Sequence, residues 1–187
     1  MGQFFRLMDD RVSQARWHLA GPVDAQREPI DSWQFKEGKT LELGCVPLFP
    51  LQTPGAKLDF TFAGRAVPVV SARFRETFAR LAIPDVQFIP ARVEGHGGPH
   101  FILNALRVVR SIDDARTEEV QYWTAEDNEP DRVGEYQAVH GLRIDPLKVG
   151  DAQIFRTWGW LVALIVSEDI KDAIVHEGLT GAELIEV

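Results

Sequence analysis

Val69-Val70-Ser71-Ala72-Arg73-Phe74, followed by Phe78 and closed by Val86-Gln87-Phe88-Ile89, recurs 96 positions later. The second copy reads Ile165-Val166-Ser167-Glu168-Asp169-Ile170, then Ile174, then Ala182-Glu183-Leu184-Ile185. At that single offset Phe74 falls on Ile170, Phe78 on Ile174 and Phe88-Ile89 on Leu184-Ile185. Each copy reads as an apolar strand end, a serine N-cap, a short helix with one apolar stripe and a further strand. A packing unit written twice is scaffold. Ser71 and Ser167 are therefore read as helix caps, and neither lies in the Gly-x-Ser-x-Gly pattern of a nucleophile elbow.

Working outward, the first helix is expected from about Ala72 to Leu81. Phe74, Phe78 and Leu81 share one face there, and Arg73, Arg75, Glu76 and Arg80 take the wet side. The second helix is expected over Glu168–Glu177. Glu168 and Asp169 suit the positive end of its dipole, and Gly178 stops it. Asp59 to Phe62 alternates like a strand and turns at Gly64. Val86 to Val93 and Phe101 to Val109 read as strands joined by a hairpin over 95–99, and Gln153 to Val166 as two strands broken near Gly159. Leu142-Arg143-Ile144 carries a further strand signal, whereas 111–137 is polar and without a period. The first third is irregular, punctuated at Gly21-Pro22, Glu28-Pro29, Glu37-Gly38 and Pro54-Gly55. Prolines 47, 50 and 54 exclude Leu48-Phe49 from a helix or an inner strand, leaving an extended piece with Phe49 and Leu51 turned inward.

Many strands, two clear helices and no strand–helix alternation define an α+β class with largely antiparallel sheet and two short helices in a repeated strand–helix–strand unit. The 187 residues fit one domain, with 1–66 an extended, β-rich N-terminal part and 67–187 the core that carries the repeat.

The net charge of −8 argues against nucleic acid and against an anionic membrane, both of which are bound through clustered Lys and Arg. One cysteine, Cys45, cannot close an internal disulfide; between Gly44 and Val46 in an expected strand it reads as a packed thiol. The start, Met1 to Met8, meets Asp9-Asp10 too early for a signal peptide, and the apolar run Trp158–Val166 is too short to span a membrane. A cytoplasmic location is the expectation.

No phosphate-cradling glycine loop occurs. Two constellations remain. Glu94, His96 and His100 surround Gly95, Gly97, Gly98 and Pro99, and a metal-dependent enzyme or regulator centred there is the alternative reading. Yet His-x-x-x-His spacing suits a helix, and this segment cannot form one, so a mobile hairpin tip is the plainer account and no cofactor is assigned. The second is acidic. Asp113 to Glu135 holds nine carboxylates against Arg116 and Arg132, a local charge of −7. Interleaved aromatics exceed what solvation requires. Asp113, Asp114, Glu118, Glu119, Glu126 and Asp127 would steer a basic protein, with Tyr122, Trp123 and Tyr136 as anchors. Trp17, Trp33, Trp158 and Trp160 sit among apolar neighbours and are expected in the core.

Read in order, the landmarks resemble a bacterial immunity-protein family that accompanies polymorphic toxins, a class with a myxobacterial prototype that was formerly a domain of unknown function. They are Trp17 with Gly21-Pro22, Trp33 with Phe35 and Gly38, Gly55 with Asp59-Phe60, and Pro68 to Ser71. Then come Val86 to Pro90, Asn104 with Val108-Val109 and Asp113, and Ile154-Phe155-Arg156. The ending, Val166-Ser167-Glu168 with Ile170-Lys171 through Gly178, Thr180 and Gly181, is the most specific part. The resemblance implies a non-enzymatic protein that binds and neutralises a cognate toxin. It carries no catalytic residues to transfer.

Overall fold

The repeat unfolds into two sheets with the same plan. A computed structural model describes residues 2–10, 12 and 15–187. Strand β1 (Phe4–Asp9) is followed by β2 (His18–Leu19), a 3-10 turn at Trp33–Lys36, β3 (Leu48–Phe49) and β4 (Leu51–Thr53). The first repeated unit is β5 (Phe60–Ala63), β6 (Val67–Ser71), α1 (Ala72–Arg80), β7 (Val86–Val93) and β8 (His96–Ala105). After β9 (Val108–Val109), β10 (Glu119–Tyr122), β11 (Tyr136–His140) and α2 (Pro146–Val149), the second unit follows. It comprises β12 (Ile154–Thr157), β13 (Trp160–Ser167), α3 (Glu168–His176) and β14 (Ala182–Glu186).

One sheet has the order β3-β7-β8-β6-β5 and the other β14-β1-β13-β12-β9. In the first, β6 and β7 flank β8 and run antiparallel to it. In the second, β13 and β14 flank β1 in the same way. Four strands of each half therefore correspond, β7-β8-β6-β5 with β14-β1-β13-β12, except that β1 comes from the N-terminal part of the chain, and the fifth strands, β3 and β9, join opposite edges. Both sheets are mostly antiparallel, with parallel pairs only where β3 joins β7 and β9 joins β12. The α+β class read from the sequence is the observed one.

Period-two alternation sends each strand's side chains into two cores. Val70, Leu164, Val166, Phe5 and Leu7 face a central cluster with Phe74, Phe78, Ile170 and Ile174 from the two helices. Val69 and Ile102 face a second cluster under Trp17, Phe35 and Phe49. Phe4, Ala163 and Ile165 face a third, roofed by Ile112, Tyr136, Val139, Ile144 and Val149. Because both faces of each sheet are covered, β6 and the body of β13 are apolar without interruption. Phe74 stacks on Phe78 at 5.0 Å, and burying each ring stabilises by about 1.5–3 kcal/mol.

The helices match expectation to within a residue at their C-terminal ends, and Ser71 caps α1 by accepting from the Phe74 N–H at 3.3 Å. Ser167 holds the extended N-cap conformation, but its hydroxyl makes no cap bond. Instead the Glu168 N–H donates to the carbonyl of Gln3, the residue just before β1, and the acids of the first turn answer the dipole. Asp59 ties the units together. It accepts from the Ser71 hydroxyl at 2.6 Å and from Arg73 and both the Thr180 N–H and hydroxyl at 3.0 Å. Burial opposes its charge, yet the Ser71 and Thr180 bonds and the Arg73 cation hold its carboxyl below the usual range.

Several expectations are corrected. The expected 95–99 hairpin is only a two-residue turn, Glu94-Gly95, and His96 already pairs with Val93. The expected strand to Val109 breaks at Ala105, where the chain crosses to the other sheet. Segment 111–137 is not structureless: β10 and β11 pair within it, cross-strand contacts setting what periodicity did not show. A third helix, α2, starts at Pro146 with the Asp145 carboxylate accepting from the Leu147 N–H, a four-residue element too short to leave a period. Leu142 to Ile144 gives only a single bridge, Ile144 to Ile112. Cys45 lies in a bend with Gly44, ahead of β3, and not in a strand. Trp33 is 41% exposed, its ring held by the Lys36 ammonium, and Trp158 and Trp160 are half-buried. Among the described residues no helix is long and apolar enough to cross a membrane.

Candidate interaction surface

The segment from Ser111 to Val149 has two jobs, and its residues divide between them. Ile112, Tyr136, Val139, Leu142, Ile144 and Val149 are buried against the outer face of the second sheet. Thrown outward from this roof are the acids. Asp113 pins the base: it accepts from the Ala115 and Arg116 N–H groups and from Arg116 Nε at 2.5 Å, while Arg116 Nη2 donates to the Ile144 carbonyl. That side-chain bond to Arg116 holds the Asp113 carboxyl below its usual range. Asp127 closes the 3-10 turn Ala125–Asp127, accepting from the Thr124 N–H at 2.7 Å and the Thr124 hydroxyl at 2.8 Å, and is likewise held low.

Asp114 clamps the two tyrosines. One carboxylate oxygen accepts from Tyr122 at 2.5 Å and the other from Tyr136 at 2.6 Å, with the rings 5.0 Å apart. The bond to Asp114 raises the Tyr122 phenol, and burial followed by the same bond raises that of Tyr136. The three aromatics differ in availability. Tyr122 is 40% exposed, Trp123 is half-buried under the Arg132 guanidinium at 4.4 Å, and Tyr136 is 7% exposed in the third core. Glu118, Glu119 and Glu126 are exposed; Glu119 accepts from Gln121, and Glu118 and Glu126 stand in no ion pair among the described residues. Three carboxylates therefore build the segment, and three face water with their charge uncompensated. Sequence reasoning grouped all six because local charge does not distinguish a carboxylate that caps from one that projects. The Asp-x-x-Arg spacing at 113–116 was the signal that could have separated them.

The histidine constellation dissolves into packing. His96 and His100 both lie on β8, and both rings contact Trp17, at centroid distances of 4.9 and 5.8 Å. His96 bonds the Glu94 carbonyl, and the Glu94 carboxylate is turned to Arg27 and the Leu51 N–H. His100 is buried, which lowers its pKa, and the Lys57 cation adds to that. Among the described residues no group of three or more His, Cys, Asp or Glu side chains converges as a metal would require.

Residues 46–187 match the immunity protein family Imm11. The chain belongs to that family. Membership implies neutralisation of a cognate toxin in a polymorphic toxin system, in a family whose members are typically non-enzymatic binders. No curated protein matches the chain. The Imm11 match takes in both repeated units and the acidic segment. Strand β1, which completes the second sheet, lies outside it.

Proposed function

We propose that this Imm11 protein acts in the cytoplasm as a stoichiometric inhibitor that covers a basic toxin domain with the outward face of residues 113–135. The observation that carries this reading is the division of labour among the acids. The fold consumes Asp113, Asp114 and Asp127, but leaves Glu118, Glu119 and Glu126 exposed around Tyr122 and Trp123. Exposed charges of one sign accelerate encounter with a partner of the other, and half-exposed aromatics lengthen residence. An interface of about 1,200–2,000 Å² would suffice for a stable complex. Tyr136 contributes by holding Asp114 and the Tyr122 ring in place.

The test pairs capture of the neighbouring gene's product with rescue of cells from its toxicity. The triple variant Glu118→Gln, Glu119→Gln, Glu126→Gln keeps every bond described above except the Gln121 contact. Its association rate should fall about tenfold or more at low salt and lose most of its salt dependence, with dissociation little changed. Unchanged association and salt response would place the toxin on another face.

A further inference from the structure

Arg156 on β12 is wholly buried between the sheets. Its Nη1 donates to the carbonyls of Leu161 and Val162 at 3.2 and 3.3 Å, but Nε and Nη2 have no partner among the described residues. Those two nitrogens form the side of a guanidinium that takes a carboxylate or phosphate by two parallel bonds. Lys36, at the end of the Trp33–Lys36 turn, is 1% exposed, and its ammonium rests 4.5 Å from the centre of the Trp33 ring. The segments that carry the two cations approach each other closely. A Cβ on Gly38 would stand 2.6 Å from Val108, the residue opposite Arg156 in the parallel pairing of β9 and β12.

A third cation, Arg65, sits on the turn between β5 and β6. With Asp31, Ser32, Trp33 and Gly64 it lines a cleft of about 530 Å³. None of the three stands in an ion pair among the described residues. Burial, then the charges of Arg156 and Arg65, push the Lys36 ammonium down to about 8, and Asp31 is the carboxylate that opposes them. Two buried cations without an anion cost several kcal/mol each even after relaxation, and buried donors in folded proteins are nearly always satisfied. A folding role alone would be served better by apolar side chains of the same size.

We propose that Lys36, Arg65 and Arg156 form a binding site for a small oxyanion, of phosphate or carboxylate type, that enters through the cleft beside Trp33. The oxyanion takes the free Nε–Nη2 edge of Arg156, Lys36 supplies a point charge, and Arg65 closes the entrance. Binding restores the charge on Lys36, so above pH 8 it is accompanied by uptake of a proton.

The experiment titrates the full chain with sodium phosphate or sodium acetate at ionic strength matched by sodium chloride, read by calorimetry and by thermal unfolding. A saturable single site with phosphate assigns a phosphate ligand, and one with acetate alone a carboxylate; either supports the site. At pH 8.5 the heat should depend on the ionisation enthalpy of the buffer. Arg65→Gln, an exposed change, should weaken Kd about tenfold, and Lys36→Met, which keeps the buried stem, should weaken it further. Identical behaviour in phosphate, acetate and chloride overturns the proposal, as does binding by Arg65→Gln equal to that of the parent chain.

Discussion

Ala82 and Gly178 occupy the same place in the two repeated units, 96 positions apart, and only one of them is suited to it. Both end their helices in the left-handed region, at φ +52° and φ +58°. Both are followed by the same closing bond, Ile83 N–H to the Phe78 carbonyl and Leu179 N–H to the Ile174 carbonyl. Left-handed backbone costs a residue with a Cβ about 1–2 kcal/mol. Changing Ala82 to Gly removes that strain but returns about 0.4–1 kcal/mol of freedom to the unfolded chain. The expected net gain is about 0.5–1 kcal/mol. The reciprocal Gly178→Ala is a clean control, because an added Cβ there meets nothing within 4 Å and the change acts through the backbone alone. It should lose a similar amount. Urea unfolding followed by circular dichroism reads both, as opposite shifts in midpoint at constant slope, and in Tm they amount to about 1–4 °C each. If Ala82→Gly were less stable than the parent while Gly178→Ala were no worse, equivalence of the two helix ends would be refuted.

Asp59→Asn should cost about 2 kcal/mol, because bonds to the ionised carboxylate are lost at both Ser71 and Thr180. Asp59 has a depressed folded pKa, so its contribution is full above the unfolded value, about 3.9, and is lost as pH falls through the lower folded value. Acid unfolding of Asp59→Asn should accordingly be flatter than that of the parent below about pH 4. Tyr136→Phe should destabilise by about 1–2 kcal/mol, leaving a half-satisfied Asp114, whereas Tyr122→Phe should change stability less and toxin residence time more. Deleting residues 2–9 should leave the chain without a stable second sheet. The removed strand buries Phe4, Phe5 and Leu7, worth about 5–9 kcal/mol against a typical total of about 5–15. Loss of the near-ultraviolet signal of Trp158 and Trp160 would report it.

What the sequence disclosed follows from which signals are local. Ser71 with Phe74 and Phe78, and the apolar run ending at Ser167, are local patterns, and they delivered both helices and the strands beside them. Prolines 47, 50 and 54 excluded Leu48-Phe49 from a helix or an inner strand, and the extended piece read there is the edge strand β3. The placement of β1 was not legible, since Phe4 to Met8 looks like any short apolar piece until its partners, β13 and β14 far along the chain, are known. The pairing of β10 with β11 was hidden for a related reason. Its core face, Val120, Tyr136 and Val139, straddles an irregularity at Gln121/Tyr122 that breaks the alternation. At the interaction surface, charge density marked the right segment but could not tell a carboxylate bonded to its own backbone from one facing water. The burial of Arg156 and Lys36 was not legible, Arg156 entering only as a family landmark, because a cation in a sequence reads as surface until the fold buries it.

The position of β1 also has a consequence in time. Strand β1 leaves the ribosome long before its partners and waits for them in solution, because Phe4 pairs with Ser167 and Phe5 with both Val166 and Glu186. The first sheet can close before β13 and β14 are made; the second cannot, and joining segments so far apart in sequence is intrinsically slow. A product cut short before Trp160 lacks the partners of β1, and its second sheet stays open whatever the first has achieved.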